Sequence, residues 1–87
     1  MKSRINDDFR ACFAALPKEV QSAARRAFRR WKADPNHPGL RFKRIHGQDE
    51  IYSVRVGIGW RAVGYKEGDL LTWFWIGSHA DYDRLIS

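Results

Sequence analysis

The sequence predicts an α+β fold: two N-terminal antiparallel helices packed on one face of a small, mainly antiparallel sheet of about four strands, with a short helix at the C-terminus. Three observations predict it. Apolar residues at helical spacing are confined to the segment before Asp34, and alternating segments rich in aromatic and β-branched residues fill the chain after Pro38. The connections Gly57–Gly59 and Lys66–Asp69 are too short to join parallel neighbours, which need a crossover of a dozen residues or more. The two N-terminal helices precede the strands rather than alternating with them, and so form a segregated layer.

Each element has its own local reason. Asn6, Asp7 and Asp8 offer capping oxygens and negative charge where a helix begins. A first helix from there to Leu16 places Phe9, Phe13 and Leu16 on one face with Cys12 beside them. Pro17 suits the first turn of a second helix, where its missing N–H is no loss. Val20, Ala23, Ala24, Ala27, Phe28 and Trp31 give that helix its apolar stripe, and Arg25, Arg26, Arg29, Arg30 and Lys32 form the opposite face. Asp34, Pro35, Asn36, Pro38 and Gly39 then break the helix. Strands follow at Leu40–Ile45, Ile51–Val56, Trp60–Tyr65 and Leu70–Ile76, and a short helix runs to Leu85 and Ile86, with Asp81 or Asp83 as its cap.

Eighty-seven residues make one domain over 1–87, and 44% apolar with 14% aromatic residues mark it as globular. A net charge of +6 favours a polyanionic partner, nucleic acid or an acidic protein segment, over a neutral one. The single Cys12 excludes an internal disulfide and is consistent with a reducing compartment. No apolar run is long enough for a membrane span, and acidic residues stand where a signal peptide would be apolar, so a cytoplasmic protein is expected. There is no metal-ligand spacing, no glycine-rich phosphate loop and no Ser or Cys nucleophile arrangement in the sequence.

The residues that carry chemistry cluster after Ile51. With Gly57–Gly59 as the loop, Val56 pairs with Trp60 and Arg55 lies opposite Arg61, on the face shared with Ser53, Val63 and Tyr65. Like charges directly opposite each other destabilise a sheet. Two guanidinium groups so placed form a phosphate clamp, or they pair with nearby carboxylates on a solvated face. A one-residue slip would send them to opposite faces. His79, past the last strand, is a side chain suited to moving protons near neutral pH, and Tyr82, Asp81 or Asp83 stand where they could orient it. His46 ends the basic run Arg41, Lys43 and Arg44. Trp73 and Trp75 alternate with Thr72, Phe74 and Ile76, so both faces of the last strand are apolar, for core packing or for stacking on a base.

Taken in order, LRFKRIHG, IYSVRVGIGWRAVGY and LTWFWIGSHADYDRL behind two helices resemble the RelE/ParE superfamily of bacterial toxin–antitoxin toxins. The matching residues are the basic strand Leu40 to Gly47, Tyr52 to Arg55, Gly59 to Arg61 and Ile76 to His79. Similarity to the RelE branch implies a ribosome-associated mRNA endonuclease in which the RNA's own 2′-hydroxyl attacks the adjacent phosphate, with no metal and no cofactor. It implies that Arg61 stabilises the pentacoordinate phosphate, that Arg55 holds the substrate, that His79 is acid or base, and that His46 is a second proton carrier. Arg41, Lys43, Arg44, Tyr82 and Trp75 would contact the RNA. The implied partners are mRNA on the ribosome and a cognate antitoxin, the two proteins forming an oligomer with an acidic antitoxin segment on the basic surface. ParE-type relatives share the fold but act on DNA gyrase without these nuclease residues, and a basic RNA-binding or antitoxin-binding module without nuclease activity is a further alternative. Ser53 replaces a basic residue frequent in RelE-type relatives, and Tyr82 departs from the spacing of their C-terminal tyrosine. Relatives also begin with a strand, which MKSRI is too short and polar to predict.

Overall fold

The computed structural model describes every residue except His46, Gln48 and Asp49. The predicted role of His46 therefore lies outside the described residues. The described elements are β1 (Lys2–Ile5), α1 (Asp7–Ala14), α2 (Lys18–Ala33), a 3-10 turn (Pro38–Leu40), β2 (Lys43–Arg44), β3 (Ile51–Val56), β4 (Trp60–Glu67), β5 (Leu70–Ser78) and α3 (His79–Ile86). The five strands form one sheet in the order β1-β5-β4-β3-β2. Neighbours are antiparallel except β1, which runs parallel to β5.

Strand β1 corrects the expectation of no N-terminal strand, and its presence explains a five-stranded rather than four-stranded sheet. An edge strand contributes through its backbone and needs no apolar alternation. Lys2 donates its N–H to the Asp69 carbonyl, and the Arg4 guanidinium donates to the Thr72 hydroxyl at 3.0 Å. The strand expected over Leu40–Ile45 shrinks to two residues for the opposite reason. Leu40 closes the 3-10 turn, and Arg41 sits in the left-handed region at φ 47°, which breaks any extended run before Lys43.

Both N-terminal helices form where expected. The Asn6 side chain accepts the Phe9 N–H at 3.0 Å, capping α1. Pro17 stands just before α2 rather than inside its first turn, and its carbonyl accepts from Val20 and Gln21. The apolar faces of α1 and α2 cover one side of the sheet, burying Phe9, Ala24, Ala27 and Trp31 against Val54, Val56, Ala62, Leu71, Trp73 and Ile76. Trp73 is the hub of this core, with Phe28 at 5.1 Å and Trp31 edge-on at 5.6 Å.

Strict alternation on β5 would put Trp73 and Trp75 on one face. A register shift between Val63 and Gly64 of β4 leaves Phe74 as an extra residue, a β-bulge. Beyond it the phase flips. Trp73 stays under the helices, whereas Phe74 and Trp75 both pack on the far side with Ile45, Val63 and Tyr82. Helix α3 thus covers part of the second face, and the sheet is a buried layer at its centre.

Candidate active site

The predicted register of the β3–β4 hairpin is the observed one: Arg55 is the cross-strand partner of Arg61, and Val56 of Trp60. Gly57 and Gly59 take φ of 57° and 85°, left-handed values that favour glycine at both ends of the three-residue loop. Ser78 caps α3, its hydroxyl accepting the Asp81 N–H at 3.1 Å, so neither Asp81 nor Asp83 is the cap that the sequence suggested. His79 is consequently the first residue of α3. Its backbone N–H donates to the Gly59 carbonyl at 2.7 Å, which pins the start of the helix to the hairpin loop.

These joints converge on one open cleft of about 380 Å³ lined by Arg41, Arg55, Gly59, Arg61 and His79. Arg41 reaches it from the left-handed bend before β2, a backbone state that L-residues rarely occupy and that is often kept at functional sites. Arg55 is braced by donating from Nε to the Gly57 carbonyl at 3.1 Å, and Arg61 by donating from Nη1 to the Trp60 carbonyl at 2.9 Å. Among the described residues neither forms an ion pair with a carboxylate; the ion pairs are the local ones Asp7–Arg10, Asp81–Arg84 and His79–Asp83. Burial pushes the Arg61 guanidinium below its ordinary range and the neighbouring charge of Arg55 pushes it further, with Tyr82 opposing the shift, Arg41 adding a smaller push and Asp83 a smaller opposition.

His79 Nε2 lies 3.4 Å from Asp83 Oδ2, one helical turn on, so Asp83 is the carboxylate that orients the imidazole while Asp81 is engaged with Arg84. Both partners are exposed, so the pair orients rather than stabilises. A side chain that exchanges protons at neutral pH thus stands beside cationic donors for phosphate oxygens, an arrangement suited to phosphoryl chemistry.

The other predicted contacts fall elsewhere. Tyr82 is buried and donates its hydroxyl to Ser53 at 3.1 Å, joining α3 to the sheet. Ser53, expected to face away from the core with Arg55, is itself buried under that contact. Trp75 lies flat over Gly77, where an added Cβ would come within 2.6 Å of the indole. Because Gly77 is the cross-strand partner of Arg61, the ring flanks the cleft and lines a groove beside it with Trp60 and Leu16. Lys43 and Arg44 are exposed on the edge strand β2 and do not line the cleft. Sequence reasoning missed the Gly59 carbonyl as the anchor of His79, and the sequence carries no signal for it beyond the glycine itself. It missed Gly77 as well, whose place after an aromatic-rich strand is a sign of close approach.

The ParE-like toxin domain family matches residues 18–84. No curated protein sequence matches the chain significantly. The fold is similar to that of the RelB-RelE antitoxin–toxin complex from Methanococcus jannaschii, with a TM-score of 0.75 at 14% identity, covering 95% of this chain and 98% of that one. The archaeal RelE-RelB complex from Pyrococcus horikoshii gives 0.68 at 12%, covering 90% and 93%. The isolated RelE toxin of Escherichia coli gives 0.67 at 10%, covering 99% and 98%. No helix among the described residues is long and apolar enough to cross a membrane.

Proposed function

This chain belongs to the ParE-like toxin domain family, within the RelE/ParE superfamily of toxins, and from that premise we propose that it acts by metal-free cleavage of mRNA on the ribosome. The observation that carries the reading is the convergence of Arg41, Arg55, Arg61 and His79 on one cleft. The scissile phosphate sits among the guanidinium groups. The 2′-oxygen of the preceding ribose bonds to phosphorus, the bond from phosphorus to the 5′-oxygen breaks, and the products are a 2′,3′-cyclic phosphate and a free 5′-hydroxyl. Arg61 meets the charge that develops on the non-bridging oxygens, and Arg55 and Arg41 hold the phosphate in place. His79, steered by Asp83, gives its proton to the departing 5′-oxygen. The 2′-hydroxyl proton passes to water, which reprotonates His79 for the next turnover.

The partner that silences the toxin is an antitoxin with an acidic segment, matching the net charge of +6. The structural neighbours solved as toxin–antitoxin complexes support this. A second reading, a toxin acting on DNA gyrase, is favoured by the ParE-like description of the family that matches residues 18–84.

Induced expression in a bacterial host, with mRNA 5′ ends mapped, separates the two. Growth arrest with new cuts inside translated codons, lost in Arg61→Ala and in His79→Gln, is the expected result. Arrest with intact mRNA overturns the nuclease and leaves gyrase as the target to assay.

A further inference from the structure

Of the four arginines on the outer face of α2, two have a distinct setting. Arg25 stacks over the Phe13 ring at 5.2 Å and is engaged there. Arg26 and Arg30, one turn apart and so on one side of the helix, line a separate pocket of about 300 Å³ with Arg55, Leu40, Ala27 and Ile58. The pocket forms where the β3–β4 loop meets α2. A Cβ placed on Gly57 would sit 3.6 Å from Ala23, so the small residues of the helix let the loop approach. Ile58 at the loop tip is 87% exposed, the most exposed large apolar residue of the molecule, and it stands beside guanidinium groups rather than in a core.

Arg55 lines both this pocket and the cleft that holds Arg61 and His79. The two basic sites are therefore contiguous, with a single side chain as their shared wall. Among the described residues no carboxylate pairs with Arg26, Arg30 or Arg55. Three unpaired cations around an apolar floor of Ala27 and Leu40, with Ile58 at the rim, match one nucleotide, with phosphate on the guanidinium groups and a base against the floor. We propose that this pocket binds the nucleotide next to the scissile phosphate in a single RNA strand, so that the substrate bends around Arg55 from α2 into the cleft. The inference rests on the nuclease reading and extends it from one phosphate to two. An acidic peptide would also meet the charge. Continuity with the cleft through Arg55 favours a polymer whose charges repeat at the spacing of a nucleic acid backbone.

The test uses the intact protein and 2′-O-methyl RNA, which cannot be cut. Binding of a dinucleoside monophosphate and of a trinucleoside diphosphate is measured by calorimetry across a salt series. Wild type should gain about tenfold in affinity from the added nucleotide, the effect of one charge-assisted contact of ordinary strength. The double variant Arg26→Gln, Arg30→Gln should bind the shorter ligand as wild type does and lose that gain. Its salt slope on the longer ligand should fall by about 0.7, the value for one single-strand phosphate. Wild type binding both ligands equally, or a double variant that keeps the full gain, overturns this inference and leaves the nuclease reading intact. Wild type binding neither overturns this inference, and the mapped mRNA 5′ ends still decide the nuclease reading separately. A polyglutamate peptide that binds wild type but not the double variant, with no gain from the longer RNA, overturns the RNA assignment and gives the pocket to an acidic protein.

Discussion

Replacing Arg55 by Thr removes one of two like charges facing each other on a sheet, and the structure allows the consequence to be worked out. Two unit charges about 6 Å apart, the reach of directly opposed side chains, repel by about 0.7 kcal/mol in a solvent-like dielectric. The Arg55 Nε bond to the Gly57 carbonyl is lost. That bond is exposed, so water replaces most of it and the loss is about 0.5 kcal/mol at the low end of the usual range. Threonine's better fit to a strand returns a few tenths. The net expectation is a gain of about 0.5 kcal/mol, or about 2–4 °C in Tm for a domain of this size. The assay is paired thermal or urea unfolding at low salt and at 1 M salt. At the higher salt the Debye length is about 3 Å, so the difference between the proteins should largely vanish. Toxicity should fall at the same time, because under the proposed function the charge that destabilises the fold also holds the phosphate. A variant less stable than wild type at low salt, or a stability gain indifferent to salt, would refute the reasoning and mean that Arg55 has a structural partner.

Other perturbations separate the site from its scaffold. Tyr82→Phe leaves the buried Ser53 hydroxyl without its partner and should cost about 1 kcal/mol in urea unfolding while mRNA cleavage persists; lost cleavage in a folded protein would put Tyr82 in the mechanism. Gly77→Ala forces the Trp75 indole off the strand and should destabilise by about 1–3 kcal/mol, with a changed tryptophan emission spectrum. Trp73→Ala empties the hub of the core and should cost about 3–5 kcal/mol, enough to unfold a marginal domain. The pH profile of cleavage should owe nothing to Arg61. Arg61, though lowered, is charged in both folded and unfolded states at neutral pH, and its unfavourable contribution is constant there and fades only as pH rises through its alkaline folded value. His79→Gln should therefore flatten the profile, and an unchanged profile would remove His79 as the proton carrier.

How much of this was legible in the sequence depended on whether a local rule had one solution. Two glycines two positions apart, bounding a three-residue loop between strands of strict period two, permit one register, and the Arg55–Arg61 pair followed from it. The helix stripe of α2 was equally determinate. The bulge at Phe74 was not, because Trp73, Phe74 and Trp75 are all aromatic and either phase puts a large ring under the helices. The second face was also incompletely read: Ser53 was placed on a face away from the core, and the structure buries it in a contact with Tyr82. Strand β1 was illegible for another reason. Its stability comes from backbone pairing with β5 across more than sixty residues of chain, which no window of local sequence contains. The candidate site was half legible. Arg55, Arg61, Arg41 and His79 meet, Lys43 and Arg44 do not join them, and His46 lies outside the described residues.

The residues that meet share a feature of placement that bears on their role. None projects from the middle of a regular element: Arg55 and Arg61 flank the hairpin loop, Arg41 holds a left-handed bend, and His79 opens a helix. The hairpin register and the His79 N–H bond to Gly59 are made by backbone, and the Arg55 and Arg61 side chains add only local bonds to the Gly57 and Trp60 carbonyls. The fold therefore does not need these cations for its integrity, and it carries their mutual repulsion as a cost. An arrangement that lowers stability without serving the core persists where a bound anion offsets it. That asymmetry, with structural contacts made by the backbone and unsatisfied charge left to the side chains, is the physical argument for a phosphate in the cleft.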